Sequence, residues 1–176
     1  MSGGRETQRF DSVLSRFDNH FGWYYLPVSE EIGQGFEYKN GTRRVVCTLN
    51  GTVTKQCALI PFSAGGFFVV VDKRIRTKLG IIEGDTVEVE LAADTSKYGL
   101  PLAEEFAEVL RQDPEGDRLF HSLTAGKQRS LIYLVGKTKN IDRRIHIALC
   151  IIEHLKETDG TIEPERLADA IKRLRY

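Results

Sequence analysis

The segment from Phe68 to Leu91, FVVVDKRIRTKLGIIEGDTVEVEL, constrains the fold more than any other stretch of this chain. Val69 to Val71 is an apolar, β-branched run and reads as a strand. From Lys73 to Leu79 the spacing becomes helical, with Ile75 and Leu79 four apart on one face. Glu83-Gly84-Asp85 supplies a tight turn, after which Val87, Val89 and Leu91 alternate with Thr86, Glu88 and Glu90. Strand, short basic helix, turn and second strand make a compact unit that can close a small β-barrel. The segment dictates architecture and carries no reaction motif.

The chain ahead of it is written in the same grammar. Gly22 to Val28 is a short aromatic strand, and Phe36 to Lys39 leads into Asn40-Gly41. Arg43 to Leu49 places Val45, Cys47 and Leu49 on one face, Asn50-Gly51 turns the chain, and Lys55 to Ile60 returns. Gly65-Gly66 turns it again into Phe67 to Val71. Both Asn-Gly pairs are followed by Thr and so match a glycosylation sequon, but a hairpin turn is the better reading of each. Short strands joined by glycine turns describe a meander that closes as a barrel in a domain of this size.

After Ala93 the periodicity changes. Residues 96–101 have linker composition, and the rest is helical. Leu102, Phe106, Val109 and Leu110 share a face, and Asp113-Pro114 ends that helix; Leu119, Phe120 and Leu123 suit a second. Thr124 is placed to cap a third helix through Lys137 carrying Leu131, Leu134 and Val135. Ile141, Ile145, Ala148, Leu149, Ile152 and Leu155 form one amphipathic stripe, expected to face a core. Asp159-Gly160 breaks it, and Pro164 opens a last helix through Leu174. The expected class is α+β: a disordered tail over 1–9, a barrel over 10–95, a linker over 96–101 and a helical domain over 102–176.

Charge narrows the partners. The chain holds 25 Lys plus Arg against 25 Asp plus Glu, and the signs balance within each half, so any basic surface is local. Three cysteines, Cys47, Cys57 and Cys150, without CxxC spacing point to free thiols in a reducing cytosol rather than a disulfide framework or zinc knuckle. The first residues carry no signal-peptide pattern, and no apolar run approaches the roughly 18 residues of a membrane span. The expectation is a cytoplasmic protein.

Several stretches resemble known bacterial families. Gly41-Thr42-Arg43-Arg44-Val45, Asn50-Gly51, Ala58-Leu59-Ile60-Pro61, Gly65-Gly66, Lys73-Arg74-Ile75-Arg76 and Glu83-Gly84-Asp85-Thr86-Val87 together resemble an uncharacterised bacterial barrel family. That family is usually followed by the YdeI/OmpD-associated, or bacteriocin-protection, helical module. The stretch Leu123 to Leu155 resembles that module through Arg129-Ser130-Leu131-Ile132-Tyr133, Lys137, Asn140, Arg144-Ile145 and Glu153-His154-Leu155. The module typically has two arginines three apart; here Arg143 and Arg144 are adjacent. The resemblance implies a double-split β-barrel of the kind found in AbrB and MazE-type transcription factors, a link to stress or antimicrobial-peptide resistance, and no established catalysis.

Candidate contacts are local cations and aromatics. Lys73, Arg74, Arg76 and Lys78 can meet phosphates along a helix flank, or be the solvated face of a helix that buries Ile75 and Leu79. Lys127, Arg129, Lys137, Lys139, Arg143 and Arg144 form a second cluster, equally explained by salt bridges to Glu104, Glu105 and Glu108. Trp23, Tyr24 and Tyr25 can stack a ligand at a barrel mouth, Tyr24 being the expected exposed ring, or fill core and rim. The ligand-binding candidates are Trp23, Tyr24, Arg43, Arg44, Arg74, Arg76, Lys137, Arg143 and Arg144.

The usual catalytic constellations are missing from the sequence. His146 and His154 are eight residues apart, roughly 12 Å along a helix and too far to share a metal as an i,i+4 pair does. His20 and His121 have no ligand at motif spacing, and there is no GxSxG, Walker loop or GxGxxG. Cys47 and Cys57 lie in alternating strands, where burial as small hydrophobes is favoured. No catalytic residue, metal or cofactor is expected. The sequence points to a binding protein for an anionic small molecule or a protein partner. The alternatives are a DNA-binding regulator of AbrB-like type, disfavoured by zero net charge, and an enzyme with a dispersed site in the barrel.

Overall fold

The computed structural model describes residues 7–19 and 22–173, which divide between Thr95 and Ser96 into two compact units. The first unit contains seven strands: β1 (Gln8–Val13), β2 (Ser15–Arg16), β3 (Tyr24–Val28), β4 (Arg43–Leu49), β5 (Val53–Pro61), β6 (Phe67–Val70) and β7 (Thr86–Ala93). Two short helices are interspersed, α1 (Glu30–Gln34) and α2 (Lys73–Leu79). The strand order is β1-β7-β4-β5-β6-β3-β2, and every pair is antiparallel. Only Leu14 separates β1 from β2, so the chain itself joins the two ends of that order. Leu14 N–H donates to the Asp85 carbonyl at 2.9 Å, and Gly84 N–H donates to the Leu14 carbonyl at 2.8 Å. The sheet is thereby a nearly closed barrel.

Alternation dictates what the barrel buries. Val45, Cys47 and Leu49 of β4 and Val87, Val89 and Leu91 of β7 are wholly inaccessible, together with Leu14 and Leu26. Each such valine or leucine stabilises the fold by about 1.5–3 kcal/mol. Asn40-Gly41 and Asn50-Gly51 have positive φ at both positions (53° and 81°, 48° and 64°); the first pair fills the two-residue turn between Lys39 and Thr42, and the second opens the three-residue connection between paired Leu49 and Val53. α2 is closed at both ends: Asp72 accepts from Ile75 N–H at 2.9 Å, and Gly80 takes the left-handed conformation at φ 65°.

Three features of this unit differ from the sequence expectation. The strand β1 begins at Gln8, inside the stretch expected to be a disordered tail; residues 1–6 of that tail lie outside the described residues. β1 breaks the usual pattern because Ser12 faces inward, its hydroxyl donating to the Pro27 carbonyl at 2.7 Å, while Val13 faces outward and is 48% exposed. Between β3 and β4 the chain forms α1, capped by Ser29, and Phe36 to Lys39 contributes only the isolated bridge Lys39↔Thr42.

The second unit is helical: α3 (Glu104–Gln112), α4 (Pro114–Ser122), α5 (Ala125–Gly136), α6 (Ile141–Glu157) and α7 (Pro164–Arg173). Its core gathers Phe106, Phe120, Leu131, Ile132, Val135, Ile147, Ala148, Ile151, Ile152, Leu155, Leu167 and Ile171. Gly116 lets α4 approach α6; a Cβ there would stand 2.4 Å from Ile152 Cγ2. The expected stripe on α6 is corrected. Ile141, Ile145 and Leu149 are exposed, and the buried face runs through Ile147, Ala148, Ile151, Ile152 and Leu155. An i+4 row advances 40° per step, so 145 and 149 rotate off a face centred near 148 and 151, whereas Ile141 lies in line with 148 but is the first residue of the helix. The expected end of α7, Leu174, lies outside the described residues. Among the described residues no helix is long and apolar enough to cross a membrane.

Candidate anion-binding site

Two arginines meet one tyrosine ring on the barrel. In the β2–β3 pair Arg16 stands opposite Tyr24, and its guanidinium carbon lies 5.6 Å from the centre of the Tyr24 ring. Arg76 reaches the same ring from α2 at 3.6 Å. Burial of Ile75 against the barrel core fixes the roll of α2 and leaves the next residue, Arg76, half-buried over Tyr24. Gly22 makes room for Arg16: it has φ 56°, and a Cβ there would lie 2.9 Å from an Arg16 guanidinium nitrogen.

The electrostatics of this spot are unbalanced. Among the described residues, the arginines within 4.0 Å of a carboxylate are Arg9, Arg111, Arg144 and Arg166; neither Arg16 nor Arg76 is one of them. Arg76 Nε is shut off from solvent and lacks a hydrogen-bond partner. A buried N–H left unmade costs about 1–3 kcal/mol, which the stacking on Tyr24 offsets in part. Guanidinium groups are the donors that phosphate and carboxylate bind bidentately.

The remaining candidates are dispersed. Trp23, 52% exposed, adjoins the site in sequence, whereas Tyr24, the ring expected to be exposed, is half-buried beneath Arg76. Tyr25 instead joins an aromatic cluster, stacked on Phe17 at 4.1 Å and edge-on to Phe62 and Phe68. Arg43 donates through Nε to the Phe36 carbonyl at 3.1 Å and lies over the Tyr38 and Phe67 rings. Arg44 is half-buried and alternates to the other face of β4; Arg74 is exposed on α2, two residues and so some 200° away from Arg76. In the helical unit Lys137 and Arg143 are exposed. Arg144 is absorbed internally, donating from Nε to the Thr138 carbonyl at 2.6 Å and facing Glu105 at 3.6 Å. Arg16 had no signal in the sequence; only the register of a two-residue strand brings it to Tyr24.

A groove of about 1550 Å³ runs between α6 and α7, with Ile145, Leu149 and Cys150 among its lining residues. The described histidines near it and elsewhere are engaged. His146 Nε2 donates to the Ile171 carbonyl at 3.2 Å, and His154 Nε2 accepts from Glu163 N–H at 3.0 Å. His121 donates from Nδ1 to the Asp117 carbonyl and accepts from Tyr98 at Nε2. His20 lies outside the described residues. Burial holds the His154 pKa below its ordinary value and pushes the Cys150 thiol up. Among the described residues no group of three or more His, Cys, Asp or Glu side chains could hold a metal.

Comparison with known families gives one match. Residues 10–91, somewhat less than half of the 176-residue chain, match a family described as "Domain of unknown function (DUF1905)", so the barrel is similar to that domain. No curated protein matches the chain.

Proposed function

We propose that the protein is a non-catalytic recognition protein that binds an anionic ligand, or an anionic group of a protein partner, at Arg16, Tyr24 and Arg76. The observation that carries this reading is the presence of two guanidiniums at one ring, neither within 4.0 Å of a carboxylate among the described residues. Trp23 beside the site offers an exposed ring for the uncharged part of such a ligand. In the same proposal the helical unit is a YdeI/OmpD-associated module, the barrel is related to AbrB-like barrels, and the protein works in the cytoplasm in a stress or antimicrobial-peptide response. Support for these finer assignments is the sequence resemblance alone.

The test is thermal denaturation against a panel of inorganic phosphate, sugar phosphates, nucleotides and dicarboxylates. A ligand held only by the folded state at 100 times its dissociation constant stabilises by about 2.7 kcal/mol. The expected result is a saturable rise in Tm with at least one phosphorylated or dicarboxylate compound, lost in Arg76→Met. No rise with any compound, or an equal rise in Arg76→Met, would overturn the proposal.

A further inference from the structure

A separate chemistry sits in the barrel wall and owes nothing to the anion site. In the β4–β5 ladder Val45 stands opposite Cys57, and Cys47 stands opposite Lys55. Alternation along the strands sends these four side chains to the inner face, so Cys47, Lys55 and Cys57 converge within one hairpin. Cys47 is wholly buried and Cys57 is partly exposed.

The exposure has a structural cause. β5 pairs with β6 only through Ile60↔Phe68 and Pro61↔Phe67. Continued, that register would set Ala58 against Val70 and Cys57 against Val71. Those ladder pairs do not form. Lys55 spans the resulting opening, its ammonium donating to the Val70 carbonyl. The edge of β5 beside Cys57 is therefore not laddered to β6 and is bridged to it by Lys55.

We propose that Cys57 is a hydroperoxide-reactive thiol, its nucleophilic form held by the Lys55 ammonium and the Cys47 thiol. The electrostatics agree with the geometry. The hydrogen bond from the Cys47 thiol is the largest influence on Cys57 and lowers its pKa; Lys55 and Arg44 act in the same direction, against burial and Asp94. Cys47 is driven the opposite way, first by that shared hydrogen bond and then by burial, and so keeps its proton. A low-pKa, partly exposed thiol beside cations is the environment in which cysteines are oxidised.

In the reaction the Cys57 thiolate attacks one oxygen of the hydroperoxide. A sulfur–oxygen bond forms and the oxygen–oxygen bond breaks. The departing alkoxide or hydroxide takes a proton from solvent, leaving a sulfenic acid on Cys57. Diagonal neighbours in an antiparallel ladder have Cα atoms about 7–8 Å apart, beyond the reach of a disulfide without backbone movement. The sulfenic acid is therefore the product retained, with the Cys47 thiol donating to it.

The experiment treats the intact protein with hydrogen peroxide and a cyclic 1,3-dicarbonyl that captures sulfenic acids, then maps the adduct by peptide mass. Cys150, whose thiol burial pushes up, is the internal reference. One pKa unit changes the thiolate fraction at neutral pH about tenfold. Labelling at Cys57 is expected to be at least about tenfold faster than at Cys150 on that scale. Lys55→Met should slow it severalfold and Lys55→Arg should preserve it. Labelling of Cys150 as fast as Cys57, or an unchanged rate in folded Lys55→Met, overturns the proposal. Should Lys55→Met not fold, the Cys57 to Cys150 ratio in the native sequence decides the matter alone.

Discussion

The two units use their positive charge in opposite ways. In the helical unit four cations are matched to carboxylates, Arg144 to Glu105, Lys156 to Asp113 and Glu153, Arg111 to Glu108, and Arg166 to Glu157 and Glu163, while Lys137 and Arg143 are exposed and Lys97 lies over the Tyr98 ring. In the barrel Arg9–Glu90 is the one ion pair among the described residues. Arg76 and Arg16 there lie on Tyr24, Arg43 on Tyr38, Phe67 and the Phe36 carbonyl, and Lys55 on the Val70 carbonyl. A guanidinium paired to a carboxylate has spent its charge; one stacked on a ring keeps it. Zero net charge over the whole chain conceals this difference, which is why the proposed anion contact is sought on the barrel.

The largest test of the contrast separates the two cores. Phe106 is wholly buried in the helical core, and Phe106→Ala is expected to cost that unit about 3–5 kcal/mol. Helical circular dichroism should melt at lower temperature, while the anion response assigned to the barrel persists. Loss of both together would deny the division of labour.

Next in size is Arg144→Ala. Glu105 Oε2 is shut off without a hydrogen-bond partner, so removing its arginine strands a carboxylate oxygen, at a cost of about 1–3 kcal/mol by denaturant melts. Arg76→Ala is the mirror case. It removes a cation–π contact worth about 0.5–2 kcal/mol and relieves an unpaired Nε, so stability should change little while anion binding disappears. Equal effects of the two substitutions on anion binding would break the comparison.

The smallest effect is one of pH. Burial keeps the His154 pKa below the ordinary histidine value in the folded state. The unfolded chain therefore binds the proton more readily as pH falls through the ordinary range near 6.5, and the stability contributed by neutral His154 is lost from there downward. Protonation also removes the acceptor of the Glu163 N–H. Tm between pH 7.5 and 5.5 should fall less steeply in His154→Asn than in the native sequence.

Much of the fold was legible because its signals are local. β4, α2 and β7 announce themselves through alternation or i,i+4 spacing, and Thr124 caps the helix that its side chain suggests. β1 was hidden because inward Ser12 and outward Val13 invert the apolar pattern, the hydroxyl being satisfied by Pro27 across the barrel. α6 was recognised as a helix but assigned the wrong face, since it carries apolar residues on more than one side and only packing selects between them. At the site, Tyr24 and Arg76 were visible as residue types. Their meeting depends on β3 and α2 coming together from distant parts of the chain, and the third member, Arg16, is placed by barrel closure at Leu14.

The most direct measurement of the central claim is the NMR signal of the Arg76 Nε–H group during titration with inorganic phosphate. If the barrel guanidiniums receive anions, that resonance shifts saturably, together with the Trp23 indole, and the Arg144 Nε–H stays still. A stationary Arg76 signal up to high phosphate, or an equal shift at Arg144, would contradict the account.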